Sequence, residues 1–218
     1  MYSRPVPRPA DPRVRDELVE RAAELLTGTE PVSLRAVTAA AGTSTMAVYT
    51  HFGGMPGLWR AVRQQGFTHL AERLATEPRT PDPVRDVMAI GTAYVANAVA
   101  HPALYRAMFD DRTELDDAAA ADSTFGVLIE AVERARLAGR FAADVDPSGA
   151  ALQLWAMTHG LVMLVINGVL PREVLDAHLP AMSAAAFAGF GDDPEAARTS
   201  AAAGWQLPGD DDAPVTER

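Results

Sequence analysis

Ser44, Thr45, Met46, Ala47 and Thr50 fall on one short helix that the sequence places between Ser44 and about Phe52. Side chains this small or polar let a helix sit deep in a DNA major groove, which is about 12 Å wide and displays base edges. A helix of that length with so little apolar surface is poorly explained as a core element. It follows Gly42-Thr43, where a glycine lets the chain turn sharply, and a second short helix capped by Ser33 precedes the turn. The helix–turn–helix therefore runs from Ser33 to Phe52. Val37 and Val48 are spaced to pack together and fix the angle between its two helices. A preceding helix, together with Leu58 behind, closes the small core.

A second group of residues lies later in the chain. Met88, Tyr94, Tyr105, Met108, Phe109, Phe125, Trp155, Met157 and Met163 recur on apolar helical faces, with His159 among them. Such residues either line a pocket for a small apolar molecule or simply pack a core. For His159 the alternatives are a hydrogen-bonded core histidine and a ligand contact. Periodicity does not separate the two readings.

Enzyme chemistry finds no foothold. There is no GxSxG, HExxH or P-loop, and no GxGxxG opening a helix after a strand. No histidine stands three or four residues from another, so no local metal pair forms. Cysteine is absent, which removes disulfides, thiolate zinc sites and thiol nucleophiles. No cofactor is called for.

Charge is divided unevenly. The 218-residue chain carries a net charge of −10, yet residues 1–79 balance at +2, with ten Arg against eight acids. Residues 80–218 balance at −12, with nine Arg against 21 acids. The first part suits contact with phosphates and the second does not. Hydrophobic residues make up 48% of the chain, as in an ordinary globular protein. The longest uninterrupted apolar run, Leu161 to Ile166, implies no bilayer span. With no secretory signal at the start, the expected location is the cytoplasm.

The elements that position these residues are helices throughout, with no hairpin signal. Asp11-Pro12 opens the first helix, which carries Val14, Leu18, Ala22, Leu25 and Leu26 and stops at Gly28. Pro56 opens a fourth helix, ended by Pro78, Pro81 and Pro83. Longer helices follow, one from about Val84 and others opening at Pro102, Asp146-Pro147 and Pro171. The acidic, mixed segment from Asp110 to Asp122 reads as a loop running into a helix, and an amphipathic stretch covers Phe125 to Leu137. Most of the stretch from Gly191, with Asp210 to Asp212 near its end, reads as mobile.

Ala41-Gly42-Thr43-Ser44, then Val48-Tyr49-Thr50-His51-Phe52, then Leu58 together resemble the DNA-binding domain of the TetR family of transcriptional regulators over residues 13–75. Trp155-x-x-x-His159-Gly160, with His101 to Phe109, resembles a ligand-binding domain of that family. The resemblance implies an all-α fold: an N-terminal three-helix helix–turn–helix domain and a C-terminal helical ligand-binding and dimerisation domain. It divides the chain into a flexible arm at 1–11, the DNA-binding domain at 12–78, the ligand and dimer domain at 79–190 and a mostly flexible acidic tail at 191–218.

The resemblance implies DNA contacts from Ser33, Arg35, Thr43, Ser44, Thr45, Met46, Ala47, Tyr49, Thr50 and His51. It implies ligand contacts from Met88, Tyr94, Tyr105, Met108, Phe109, Phe125, Trp155, His159 and Met163. The expected partners are a double-stranded operator, a small apolar effector and a second copy of the chain, with no membrane. That copy docks through the last two helices, near Leu152, Trp155, Val162, Leu175, Leu179 and Met182. The function expected is repression relieved by the effector; the alternative is a helical sensor or interaction module without a DNA role. One position departs from the family pattern. Met55 stands where a phosphate-contacting lysine is usual, and the chain has no lysine at all.

Overall fold

A computed structural model describes residues 11–26, 31–109 and 119–207. Among them every regular element is a helix. The expected stop at Gly28, most of the acidic segment from Asp110, and Asp210 to Asp212 lie outside the described residues. The chain forms two compact units, one from residues 1–66 with 103–117, the other from 67–102 with 118–218.

The first unit holds α1 (Pro12–Leu25), α2 (Leu34–Ala40), α3 (Thr45–Phe52), the start of α4 (Met55–Ala75) and most of α6 (Pro102–Met108). Asp11 caps α1 by accepting from the Arg13 amide, and Ser33 caps α2 by accepting from the Ala36 amide at 3.2 Å. Leu18, Ala22, Val37, Val48, Leu58 and Val62 form its buried core. Val37 and Val48 thus meet in one cluster, as their spacing implies. α6 is anchored to α4 within this unit. The Arg63 Nε donates to the Met108 carbonyl at 2.7 Å, and a methyl on Gly66 would lie 2.8 Å from Met108 Cγ. α4 runs unbroken past residue 66, and α6 groups with the helix–turn–helix.

The second unit holds the rest of α4, then α5 (Pro83–Ala100), α7 (Ala119–Leu137), α8 (Pro147–Ile166), α9 (Glu173–Gly189) and α10 (Pro194–Gly204). α5 lies at its centre, packed against α7, α8, α9 and α10. Asp82, Asp146 and Asp193 cap α5, α8 and α10, each followed by proline at the first helical position.

The expected mobile tail is corrected by α10. Its Ala197, Ser200 and Ala201 are buried, and the helix packs on α5 and α9. Arg140 holds the segment that leads into it. The Arg140 guanidinium donates to both Asp192 oxygens at 2.7 and 2.8 Å and to Asp82 Oδ1 at 2.8 Å. Ser200 completes the cluster by donating to Asp82 Oδ2 at 2.6 Å. An Ala- and Asp-rich stretch that reads as a linker is ordered because its acids are paired and its small side chains permit close packing.

The expectation about bilayer spans is also corrected. α8 has 20 residues, and its most apolar 18-residue window has a mean hydropathy of 1.6, long and apolar enough to cross a membrane by composition. Counting only uninterrupted apolar runs missed it, because Gln153, Thr158 and His159 dilute the pattern without outweighing it. In the fold α8 packs on α5, α7 and α9 as one helix of the bundle, with 22% of that window buried.

Candidate functional site

α3 is held from behind and open in front. Val48 is fully buried, and Ala47 and Phe52 lean on the same core. Gly53, at φ 70°, ends the helix in the left-handed region. Gly57 allows α4 to start hard against that end: a methyl there would lie 1.8 Å from the Phe52 carbonyl oxygen. Arg15 of α1 places its guanidinium 5.5 Å from the centre of the Phe52 ring. These contacts leave one face of α3 for solvent. Met46 is 66% exposed and Tyr49 54% exposed, with Ser44, Thr45 and Thr50 exposed beside them.

The other expected DNA contacts are placed as follows. Arg35 is exposed on α2, Thr43 and His51 are half-buried, and Ser33 spends its hydroxyl oxygen on the α2 cap. Ala47 belongs to the packed side of α3, not to its open face. Ser44 precedes α3 without capping it through its side chain. The Thr50 hydroxyl donates to the Met46 carbonyl at 2.8 Å. Met55 is half-buried against the core that contains Leu58.

The second unit assembles part of the expected ligand set. Trp155 and His159 stand one turn apart on α8 and both reach Tyr94 of α5. The Trp155 indole donates to the Tyr94 oxygen at 3.0 Å, and the same oxygen lies 3.0 Å from His159 Nδ1. An indole N–H only donates, so the Tyr94 oxygen is the acceptor there, and the sense of its contact with Nδ1 follows the histidine tautomer. Burial holds the His159 pKa below its ordinary value, which agrees with a neutral ring. The Phe125 ring centre is 5.7 Å from that of Trp155. Met163 lies half-buried one turn further along α8.

The rest of the expected set is elsewhere. Met88 packs under α10, where a methyl on Gly204 would lie 2.6 Å from Met88 Cβ. Tyr105 and Met108 are fully buried in the first unit, and the Tyr105 and Phe109 rings meet at 4.9 Å. Of the residues suggested for docking a second copy, Leu152 and Met182 are exposed and Trp155 is half-buried, whereas Val162, Leu175 and Leu179 are buried within the chain. Leu164 and Val169 are large, apolar and exposed on or beside α8, and the expected set omitted them. A separate small cleft of about 90 Å³ lies between the end of α4, α5 and α7, rimmed by Arg79, Glu130 and Arg134.

Residues 87–188 match the family described as tetracyclin repressor-like, C-terminal domain. No curated protein sequence matches the chain. Solved structures do. A protein of unknown function from Rhodococcus sp. RHA1 is 27% identical, with a TM-score of 0.69, over 81% of this chain and 94% of that one. RolR in complex with resorcinol is 17% identical, with a TM-score of 0.63, over 91% of this chain and 96% of that one. The TetR-family regulator PfmR from Thermus thermophilus is 19% identical, with a TM-score of 0.55, over 89% and 97%. At the last two identities the likeness is one of fold.

Proposed function

We propose that this chain is a TetR-type transcriptional regulator, a sequence-specific DNA-binding repressor that a small hydrophobic molecule releases from its operator; the family match over residues 87–188 supports the reading. The observation that carries the reading is the construction of α3. One buried valine and a glycine turn fix the helix, and its open face presents only Ser, Thr, Met and Tyr. A dimer places two such helices in successive major grooves, at a spacing the dimer sets. Arg35, exposed on α2, supplies a charged contact to the backbone, and the basic excess of the first 79 residues supports it.

The effector is held in the second unit, against Trp155, Phe125 and Met163, and oriented by a hydrogen bond at His159 or Tyr94. RolR holds resorcinol, and a ligand of that character, small and aromatic with a polar group, suits two rings beside a neutral imidazole. Effector binding favours a dimer arrangement with the wrong helix spacing. Coupling of about 1–3 kcal/mol lowers DNA affinity roughly 5- to 150-fold.

A gel-shift assay with genomic fragments, repeated with a panel of apolar compounds, tests both parts. A retained fragment that an apolar compound releases is the expected result. Failure to retain any fragment refutes the DNA role and leaves a helical sensor module. Release by highly charged metabolites alone refutes the effector assignment.

A further inference from the structure

We propose that α3 reads its operator mainly through thymine methyl groups, contacted by Met46 and by the methyl of Thr50, and not through hydrogen bonds to base edges. The inference deepens the reading of α3 as the DNA-contacting helix and rests on it. The strongest base contacts in a major groove are bidentate hydrogen bonds from Arg, Lys, Asn or Gln. α3, with the sequence Thr-Met-Ala-Val-Tyr-Thr-His-Phe, contains none of these.

One of its polar groups is committed within the helix. The Thr50 hydroxyl gives its only hydrogen to the Met46 carbonyl at 2.8 Å. Thr50 therefore offers a methyl and an acceptor, but no donor. Tyr49 lies against the turn that follows the helix, where a methyl on Gly54 would come 3.6 Å from its ring. Met46 is different. Among the described residues of the first unit it is the most exposed large apolar side chain. Met46 and Thr50 stand four residues apart, one turn, on the same face. Together they make an apolar strip where a base-reading helix normally carries donors. Thymine alone among the four bases presents a methyl group to the major groove, so it is the base such a strip selects.

The test begins with duplexes selected from a random library by retention on the full chain. Each thymine is then replaced by deoxyuridine, which lacks only the methyl. Burial of one methyl contributes roughly a fourfold difference in affinity. One position in each half-site should therefore lose roughly fourfold, and both together roughly 15-fold. In Met46→Ala that loss should vanish at the thymine Met46 touches. Thr50→Ser, which keeps the hydroxyl, should weaken sequence preference more than Thr50→Val, which keeps the methyl. Both side chains are exposed, so the variants should melt with the parent.

Selected sites without a thymine in each half-site would overturn the inference. So would deoxyuridine changing affinity by less than twofold at every thymine, or Thr50→Val proving the more damaging change. Those results leave DNA binding intact. If no duplex is retained at all, the reading of α3 as a DNA helix fails, and the methyl readout fails with it.

Discussion

Tyr94 serves two partners with one hydroxyl. It accepts from the Trp155 indole and stands 3.0 Å from His159 Nδ1. Tyr94→Phe removes both hydrogen bonds, at about 0.5–1.5 kcal/mol each; thermal melting should show the loss and effector response should weaken. Because burial lowers the His159 pKa in the fold, the unfolded chain binds the proton more readily. This contribution is therefore complete above the unfolded value, near 6.5, and fades as pH falls from there through the folded value. Urea unfolding at pH 7.5 and 5.5 should show lower stability at 5.5, and His159→Gln should reduce the difference. Met55 poses the opposite question, a missing charge. Its half-buried place on the core suits the stem of a lysine, whose ammonium then reaches outward. Met55→Lys should add one phosphate contact per subunit and steepen the slope of log affinity against log salt by about 2 for a dimer on two half-sites. An unchanged slope means that residue 55 does not face the phosphates.

At the level of elements, α10 depends on a side chain far from it in sequence. Arg140, just after α7, bridges Asp192 and Asp82 and so ties α10 to α5. Asp192 is almost fully buried. Arg140→Ala leaves that charge without its guanidinium, which typically costs about 3–5 kcal/mol. The expected result is a lower melting temperature and faster amide exchange or proteolysis within 194–204; protection equal to the parent's would refute the role. The same cluster fixes the acid limit. Burial alone would raise the Asp82 and Asp86 carboxyls, but hydrogen bonds from Ser200 and the Arg85 amide to Asp82, and from Thr80 and Arg134 to Asp86, outweigh it and hold both below the ordinary range. Their stability contribution is present above the unfolded value, about 3.9, and is lost as pH falls through the folded one. The cap itself was readable, since Asp193-Pro194 repeats the signal of Asp11-Pro12, Asp82-Pro83 and Asp146-Pro147. The composition around it hid it: alanine and aspartate suggest a linker until Asp192 is seen to have a partner 52 residues away.

For the whole molecule, the open question at the surface is α8. Leu152 and Leu164 on α8, Val169 beyond it and Met182 on α9 expose apolar surface that one chain leaves uncovered. A two-fold dimer is the expected cover, and light scattering at micromolar concentration should give twice the chain mass. Leu152→Arg with Leu164→Arg should shift the mass towards the monomer. A parent chain that stays monomeric with DNA present would remove the basis for helix spacing. The sequence by itself determined the helical class, the capped starts of α1, α2 and α8, and the α3 turn, because these depend on local spacing and on single residues such as Gly53 and the cap residues. Trp155 and His159 were marked by the resemblance of Trp155-x-x-x-His159-Gly160 to a ligand-binding domain. Tertiary structure alone decided which apolar residues meet. Tyr105 and Met108 carry the same periodic signal as Tyr94, yet they are buried in the first unit while Tyr94 joins Trp155 and His159 in the second. Periodicity tells which face of a helix is apolar; which neighbour covers that face depends on contacts between residues distant in the chain.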